Sequence, residues 1–277
     1  MENTGNIEEA PPPQRKSGVM IFSGGMDSAA MLRLAQFRGY DEIHTLTFDY
    51  GQRHKREIEC AKTQIQHAKL LSFNHSFEDS YIEHVVIDIT NLIEIFGRNN
   101  SITNLDIRNP DVTKMVGEAQ PASYVPFRNQ IFLSLACAYA ETVNANYIYH
   151  GATKVDSLAG YWDASQEFKD AFQHLIQLNR KYEMEIQCPL LEMDKKAIVE
   201  YGYSNSISFK DTYTCYSGED LCDATTPSSS LRLKGFADAG YIDPLPYKQD
   251  LTEFWEKHNC KPYHDEVFLN TEGTRGP

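Results

Sequence analysis

The sequence predicts an α/β protein built on a doubly wound, mostly parallel sheet flanked by helices. Three observations carry that prediction. Apolar, strand-like runs alternate with helical patterns through four or five units, the order a parallel sheet requires. The first run, Val19-Met20-Ile21-Phe22, passes directly into Ser23-Gly24-Gly25-Met26-Asp27-Ser28 and then into a helical pattern. The strand ends that follow are polar where the strand interiors are apolar, which places the chemistry at the carboxyl edge of the sheet.

The chain has 277 residues, 41% of them hydrophobic and 23% charged, as in a soluble domain long enough to bury a substantial core. A net charge of -13 argues against a general nucleic-acid binder and leaves room for a nucleotide substrate. No apolar run approaches the ~18 residues of a membrane span. The N-terminus has no apolar signal core, so a cytoplasmic location is expected. The six cysteines are irregularly spaced and are expected to be reduced. Cys137 and Cys188 lie in apolar contexts and read as small buried residues.

Taken in order, residues 1–17, with Pro11 to Pro13, read as a disordered leader. Residues 18–247 form the expected catalytic domain and 248–277 a C-terminal extension. After the opening strand, a helix is expected at 26–36, with Gly39 as its stop. A strand follows at 42–48, rich in Ile, Thr and Leu, then a helix at 55–70. A third strand is expected at 84–89, a helix at 131–140, a fourth strand at 146–150, a helix at 166–178 and a short strand at 184–188. Residues 97–120 are polar and aperiodic and read as a long loop, either a lid or variable surface. The aromatic extension (Phe254, Trp255, Tyr263) is expected to dock on its own domain.

The Ser23–Ser28 stretch has the parts of an anion site. Its glycines let the backbone turn tightly and leave room for a bulky group, and the helix start presents free N–H groups and a partial positive charge. Ser23 and Ser28 add hydroxyls. Asp27 would repel a phosphate unless a divalent cation lay between them, so it reads as a Mg²⁺ ligand. The stretch is not a Walker loop, which ends in Gly-Lys-Ser/Thr. A capped glycine turn is the alternative, and the whole string directly after an apolar run favours phosphate.

Two further stretches leave alternatives open. Thr47-Phe48-Asp49-Tyr50-Gly51-Gln52-Arg53-His54 is dense in donors, acceptors and a stacking ring and would hold a heterocycle; equally, it reads as a helix cap with a solvated Arg53. Tyr124-Val125-Pro126-Phe127-Arg128-Asn129 offers the Arg128 fork to phosphate or carboxylate, or is a helix start capped by Asn129 with a surface arginine.

SGGMDS resembles the loop of the PP-loop ATP pyrophosphatase superfamily. The ordered set SGGMDS, TFDYGQRH, YVPFRN, Gly160-Tyr161-Trp162-Asp163, Cys188-Pro189-Leu190 with Lys195, and Thr214-Cys215-Tyr216 looks like the 7-cyano-7-deazaguanine synthase family. Leu231-Arg232 and Gly240 to Pro244 fit its end, so the likeness spans about residues 18–247. It implies a PP-loop, adenine nucleotide alpha hydrolase-like fold. It also implies an ATP-dependent ligase that turns 7-carboxy-7-deazaguanine and ammonia into 7-cyano-7-deazaguanine, through an adenylated carboxylate and an amide, with Mg²⁺ on the phosphates. ATP would be held by Phe22, Ser23, Gly24, Gly25, Asp27, Ser28 and Phe48. The substrate would meet Asp49, Tyr50, Gln52, Arg53, His54, Arg128, Asn129, Tyr161 and Asp163. Asp27, Arg128, Lys154 and Lys195 would carry the chemistry. The implied partners are small molecules, with no direct nucleic acid and no membrane; a homodimer stays open. The rivals are a PP-loop enzyme stopping at the amide or adenylating another carboxylate, and an inactive nucleotide-binding partner protein, which the intact SGGMDS argues against.

The chain departs from that pattern in two places besides its tail. The family carries a structural zinc on four cysteines just after the Thr-Cys-Tyr motif. Here Cys215 and Cys222 remain, but Thr225, Thr226, Ser228 and Ser229 occupy the stretch of the second pair. Hydroxyls are poor zinc ligands, so the expectation is a stretch that packs without metal. Around Asp156 to Asp163 there is one extra residue, and Trp162 stands where the family has proline.

Overall fold

The structure is a computed structural model that describes residues 15–51, 55–74, 81–92, 124–214 and 221–263. Its centre is β1 (Ser17–Ile21). Successive side chains of a strand point to opposite faces, and here both faces are covered. Val19 enters one core cluster with Leu46, Phe132 and Ile148. Met20 and Phe22 enter the other, with Met31, Ile198 and Phe236. Burial on both sides explains why the opening run is continuously apolar rather than alternating.

β1 pairs in parallel with β2 (Glu42–Asp49) on one side and with β4 (Tyr147–Tyr149) on the other. β3 (Tyr81–Asp88) and β5 (Glu185–Gln187) complete a parallel sheet in the order 3-2-1-4-5. The chain builds outward through β2 and β3, then returns to the far side of β1. A crevice therefore opens between the carboxyl ends of β1 and β4. The helices are α1 (Met26–Phe37), α2 (Lys55–Asn74), α3 (Arg128–Val143), α4 (Lys154–Leu158), α5 (Gln166–Ile176), α6 (Lys195–Ser204), α7 (Pro227–Ala239) and α8 (Thr252–Lys257). Gly39, at φ 65°, follows the end of α1 as expected. Among the described residues no helix is long and apolar enough to cross a membrane.

Several boundaries differ from the sequence expectation for local reasons. α3 begins at Arg128 rather than 131, because Phe127 caps it from the left-handed region (φ 52°, ψ 18°). Asn129 therefore lies inside the first turn and is not the cap. β4 ends at Tyr149, which leaves His150 beyond the strand. The expected loop at 97–120 and the leader up to residue 14 lie outside the described residues.

The C-terminal segment packs back on the same core. Trp255 and Tyr263 are buried in the cluster that holds Met20 and Phe209. The Tyr263 hydroxyl donates to the Ile207 carbonyl at 2.9 Å, and a short parallel pair joins β6 (Tyr241–Ile242) to β7 (Lys261–Pro262). Beside it lies a buried ion pair. Arg232 Nε and Nη2 donate to the two oxygens of Asp243 at 2.6 and 2.9 Å. The same guanidinium donates to Thr212 Oγ1 at 2.7 Å and to the Phe209 carbonyl at 2.9 Å. Burial alone would push its pKa down, but Asp243 outweighs this and raises it. Removing one partner of such a pair strands the other without water. Arg232→Met is expected to lose about 3–5 kcal/mol of stability, measured as a lowered urea midpoint at unchanged slope.

Candidate active site

The phosphate-type loop leaves β1 at Phe22 and enters α1 at Met26. Gly24 has φ 82°, a conformation that side chains rarely adopt, and its α-carbon rests against α2. A Cβ there would press into the Glu57 carbonyl oxygen and come within 2.7 Å of the Ala61 nitrogen. The Gly24 carbonyl accepts from Gln64 Nε2 at 2.8 Å and from the Tyr213 N–H at 3.2 Å. Gly25 is the N-cap of α1 and provides no side-chain partner for the first-turn amides, which suits an anion. Ser28 plays a different part from the one expected. Its hydroxyl donates to the Gly25 carbonyl at 2.8 Å and accepts from the Gly24 N–H at 3.1 Å, so it shapes the loop. Ser23 is the exposed hydroxyl.

Asp27 binds Lys195, the first residue of α6, with Nζ 2.6 Å from Oδ2. Burial opposes the Lys195 charge, but the Asp27 carboxylate overrides this and raises its pKa, so Lys195 is a fixed cation. The other oxygen, Asp27 Oδ1, is buried with no hydrogen-bond partner among the described residues. An orphaned carboxylate oxygen beside an anion-binding turn fits a Mg²⁺ ligand, since Mg²⁺ takes one or two carboxylates with the phosphates.

The loop opens into a cavity of about 260 Å³ at the carboxyl ends of β1, β2 and β4. Phe22, Ser23, Asp27, Ser28, Phe48, Tyr50, Arg128, Asn129 and Tyr161 line it. Phe48 stacks on Phe132 at 4.2 Å between centroids, which makes a flat apolar wall. Arg128 Nη1 donates to the Tyr50 hydroxyl at 3.3 Å. Asn129 Nδ2 reaches the Asp163 carbonyl at 3.5 Å. Asp163 is buried behind this wall, and Oδ1 has no partner among the described residues. Burial raises its pKa against the opposing charge of Arg128. A larger, open groove of about 1080 Å³ lies at the amino end of the sheet. Its walls mix Arg15, Lys16, Lys169 and Arg180 with Glu183 and Glu185, without the loop, and the carboxyl edge is the site the topology builds.

Of the expected residues described, Gly24, Gly25, Asp49, Lys154, Asp163 and Lys195 are not among the cavity walls; Gly24, Gly25 and Lys195 act through the loop and Asp27, and Asp163 through Asn129. Lys154 is exposed. It follows Thr153, whose hydroxyl and N–H both meet Asp156 Oδ2 in a capping box; that box turns the lysine outward. Asp49 Oδ1 accepts from the Gly51 N–H at 3.1 Å and closes a turn. Gln52, Arg53, His54 and Cys215 lie outside the described residues. Conversely, Glu57, His150 and Asp156 line the cavity without having been singled out. Glu57 hides as an ordinary acid in a helix's first turn, and His150 was counted inside β4.

The zinc question turns on Cys222. Its Sγ lies 3.1 Å from Ser229 Oγ, which accepts from Thr226 Oγ1 at 2.7 Å. Thr226 also caps α7. Among the described residues no group of three or more His, Cys, Asp or Glu could hold a metal. A hydroxyl chain occupies the place of the second thiolate pair, so the donor set present does not fit zinc.

The model of the family described as queuosine biosynthesis protein QueC matches residues 17–240. The 7-cyano-7-deazaguanine synthase of Clostridium kluyveri is 36% identical over 240 residues, covering 84% of this chain and 98% of that protein. The protein of that name from Picrophilus torridus is 35% identical, covering 90% and 98%; that from Oceanobacillus iheyensis is 37% identical, covering 84% and 98%. Among solved structures, the NMN synthetase from Francisella tularensis covers 96% of this chain and 90% of its own at 17% identity, with a TM-score of 0.45, too loose a likeness to carry an argument.

The close approach at Gly24 gives a direct test. Gly24→Ala is expected to remove ATP binding by isothermal calorimetry and to lower the melting temperature. Gly39→Ala, at φ 65° with nothing within 4 Å of the new methyl, should cost only backbone strain of about 1 kcal/mol and leave ATP binding unchanged.

Proposed function

The chain belongs to the QueC family, and we propose that its site makes 7-cyano-7-deazaguanine from 7-carboxy-7-deazaguanine and ammonia at the expense of ATP. The observation that carries this reading is the single cavity that joins the Ser23–Ser28 loop to Arg128, Tyr50 and Tyr161. A phosphate site and a cationic, ring-lined site share one space, as adenylation of a carboxylate needs.

The chemical logic follows from the groups present. A carboxylate does not react with ammonia until one oxygen becomes a leaving group. Its attack on the α-phosphorus of ATP forms the acyl adenylate and breaks the bond to pyrophosphate. The loop and the α1 N-terminus would hold that pyrophosphate, with no reorganisation needed at the moment of reaction. Asp27 Oδ1 would hold Mg²⁺, which supplies charge neutralisation on the phosphates. Lys195 fixes Asp27 from the other side, and Arg128, in the wall of the same cavity, would stabilise charge developing on the acyl oxygen. Phe48 on Phe132 offers a stacking wall to a planar ring.

Incubation with ATP, Mg²⁺, ammonia and 7-carboxy-7-deazaguanine is expected to yield the nitrile by mass spectrometry, with AMP as the nucleotide product. Accumulation of the amide alone would place the chain in an amide-forming branch; no carboxylate-dependent AMP would defeat the reading.

We also propose that the fold stands without zinc, supported by the Cys222–Ser229–Thr226 chain. Elemental analysis should find no stoichiometric zinc in purified protein, and a chelator should leave its melting temperature unmoved. One zinc per chain would overturn this.

A further inference from the structure

We propose that the Glu57 carboxylate is the base that takes protons from nitrogen in the ammonia-dependent steps; this rests on the function proposed above. Making a nitrile from ammonia requires every N–H proton of the nucleophile to leave. Attack of ammonia on the acyl adenylate forms the C–N bond and, as AMP departs with the C–O electron pair, releases one proton. The amide oxygen then attacks a second ATP and displaces pyrophosphate. Cleavage of the amide's own C–O bond, with AMP leaving with that oxygen and the bonding pair, forms the C≡N bond as two further protons leave. The phosphate loop and the cations already described stabilise negative charge; none of them accepts a proton.

The cavity holds one carboxylate with neither oxygen engaged by a partner among the described residues. Of its acids, Asp27 is held by Lys195 at 2.6 Å and Asp156 is occupied by the Thr153 capping box. Glu57, in the first turn of α2, lines the cavity, and among the described residues no hydrogen bond or ion pair engages its carboxyl. It faces Arg128 and Tyr50 across the cavity, with Cys60 one turn along its own helix; Asp27, Asp156, His150 and Tyr161 complete the titratable lining. His150 is a weak competitor. Its Nε2 lies 3.3 Å from the Asp163 carbonyl, and burial holds its pKa below the ordinary value. Burial raises the Glu57 carboxyl to about 8, against the pull of Arg128. A base works best with a pKa near the working pH, and each captured proton can return to solvent between steps.

The test separates adenylation from proton removal. In Glu57→Gln, pyrophosphate–ATP exchange dependent on 7-carboxy-7-deazaguanine should persist, while amide formation falls ~100-fold or more, a loss well beyond any change in exchange. With hydroxylamine replacing ammonia, wild-type acyl transfer should rise with pH through about 8, and the variant should be flat. Equal loss of exchange and transfer, or an unchanged pH profile, would overturn the assignment. Retained exchange reports a folded variant. Should the glutamine variant not fold, the same two rates in Glu57→Asp decide: slowed transfer with intact exchange supports the role, and unchanged transfer removes it. Wild-type protein without carboxylate-dependent exchange would instead defeat the substrate reading.

Discussion

The close approach of backbone to backbone at Gly24 is the constraint on which the rest of the site depends. No side chain fits between the loop and α2, so the loop lies directly on the helix that carries Glu57. The carbonyl of that glycine is then held from two sides, by Gln64 on α2 and by the Tyr213 amide from a segment far along the chain. Asp27, three residues on, is held from a third direction by Lys195. A loop fixed in this way presents its amides to an anion without having to be ordered first, and preorganised donors are the ones that contribute most to charge stabilisation.

The hold on Gly24 has its own support. Tyr213 follows Thr212, whose hydroxyl accepts from Arg232, and Arg232 also binds the Phe209 carbonyl. Asp243 completes the guanidinium's partners and in turn accepts from the Tyr247 hydroxyl at 2.7 Å. A buried charge is tolerated only when it is paired and fully hydrogen-bonded. This one is: Arg232 lies within α7 and its partners come from the segments before and after that helix, Thr214 Oγ1 among them at 3.2 Å. The remote ion pair and the phosphate loop are thus two ends of one chain of contacts, with the sheet core between them.

The sheet was legible because its signals are physical and local. A run buried on both faces must be apolar throughout, and Val19 to Phe22 divides residue by residue between two cores. The loop was legible because two glycines, an acid and hydroxyls directly after such a run leave few alternatives. What stayed hidden depended on context. Glu57 carries no sequence mark that separates a cavity wall from a helix-dipole acid. His150 became visible only when β4 proved to end one residue earlier, at Tyr149. Lys154 looked catalytic by its place after a strand end, and a capping box that spacing alone did not reveal turned it to solvent. Ser28 looked like a ligand donor; that its hydroxyl also braces the loop was not legible. Replacement of thiols by hydroxyls after Cys222 was plain in the sequence; the hydrogen-bonded chain they form was not.

The sequence separation of these contacts bears on biogenesis. The loop leaves the ribosome well before the segments that hold it: its carbonyl awaits Tyr213, its acid awaits Lys195, and the brace behind Tyr213 awaits Asp243. During synthesis β1 and β2 emerge with their apolar faces uncovered and their lateral hydrogen bonds unmade, the kind of intermediate that aggregates. β4, which closes the free side of β1, arrives only after the long stretch between β3 and α3 has been made. A nascent chain stalled before α6 would display the Ser23–Ser28 string while lacking the contacts that fix its geometry, so the braced loop is complete only once Lys195, Tyr213 and Asp243 have been made.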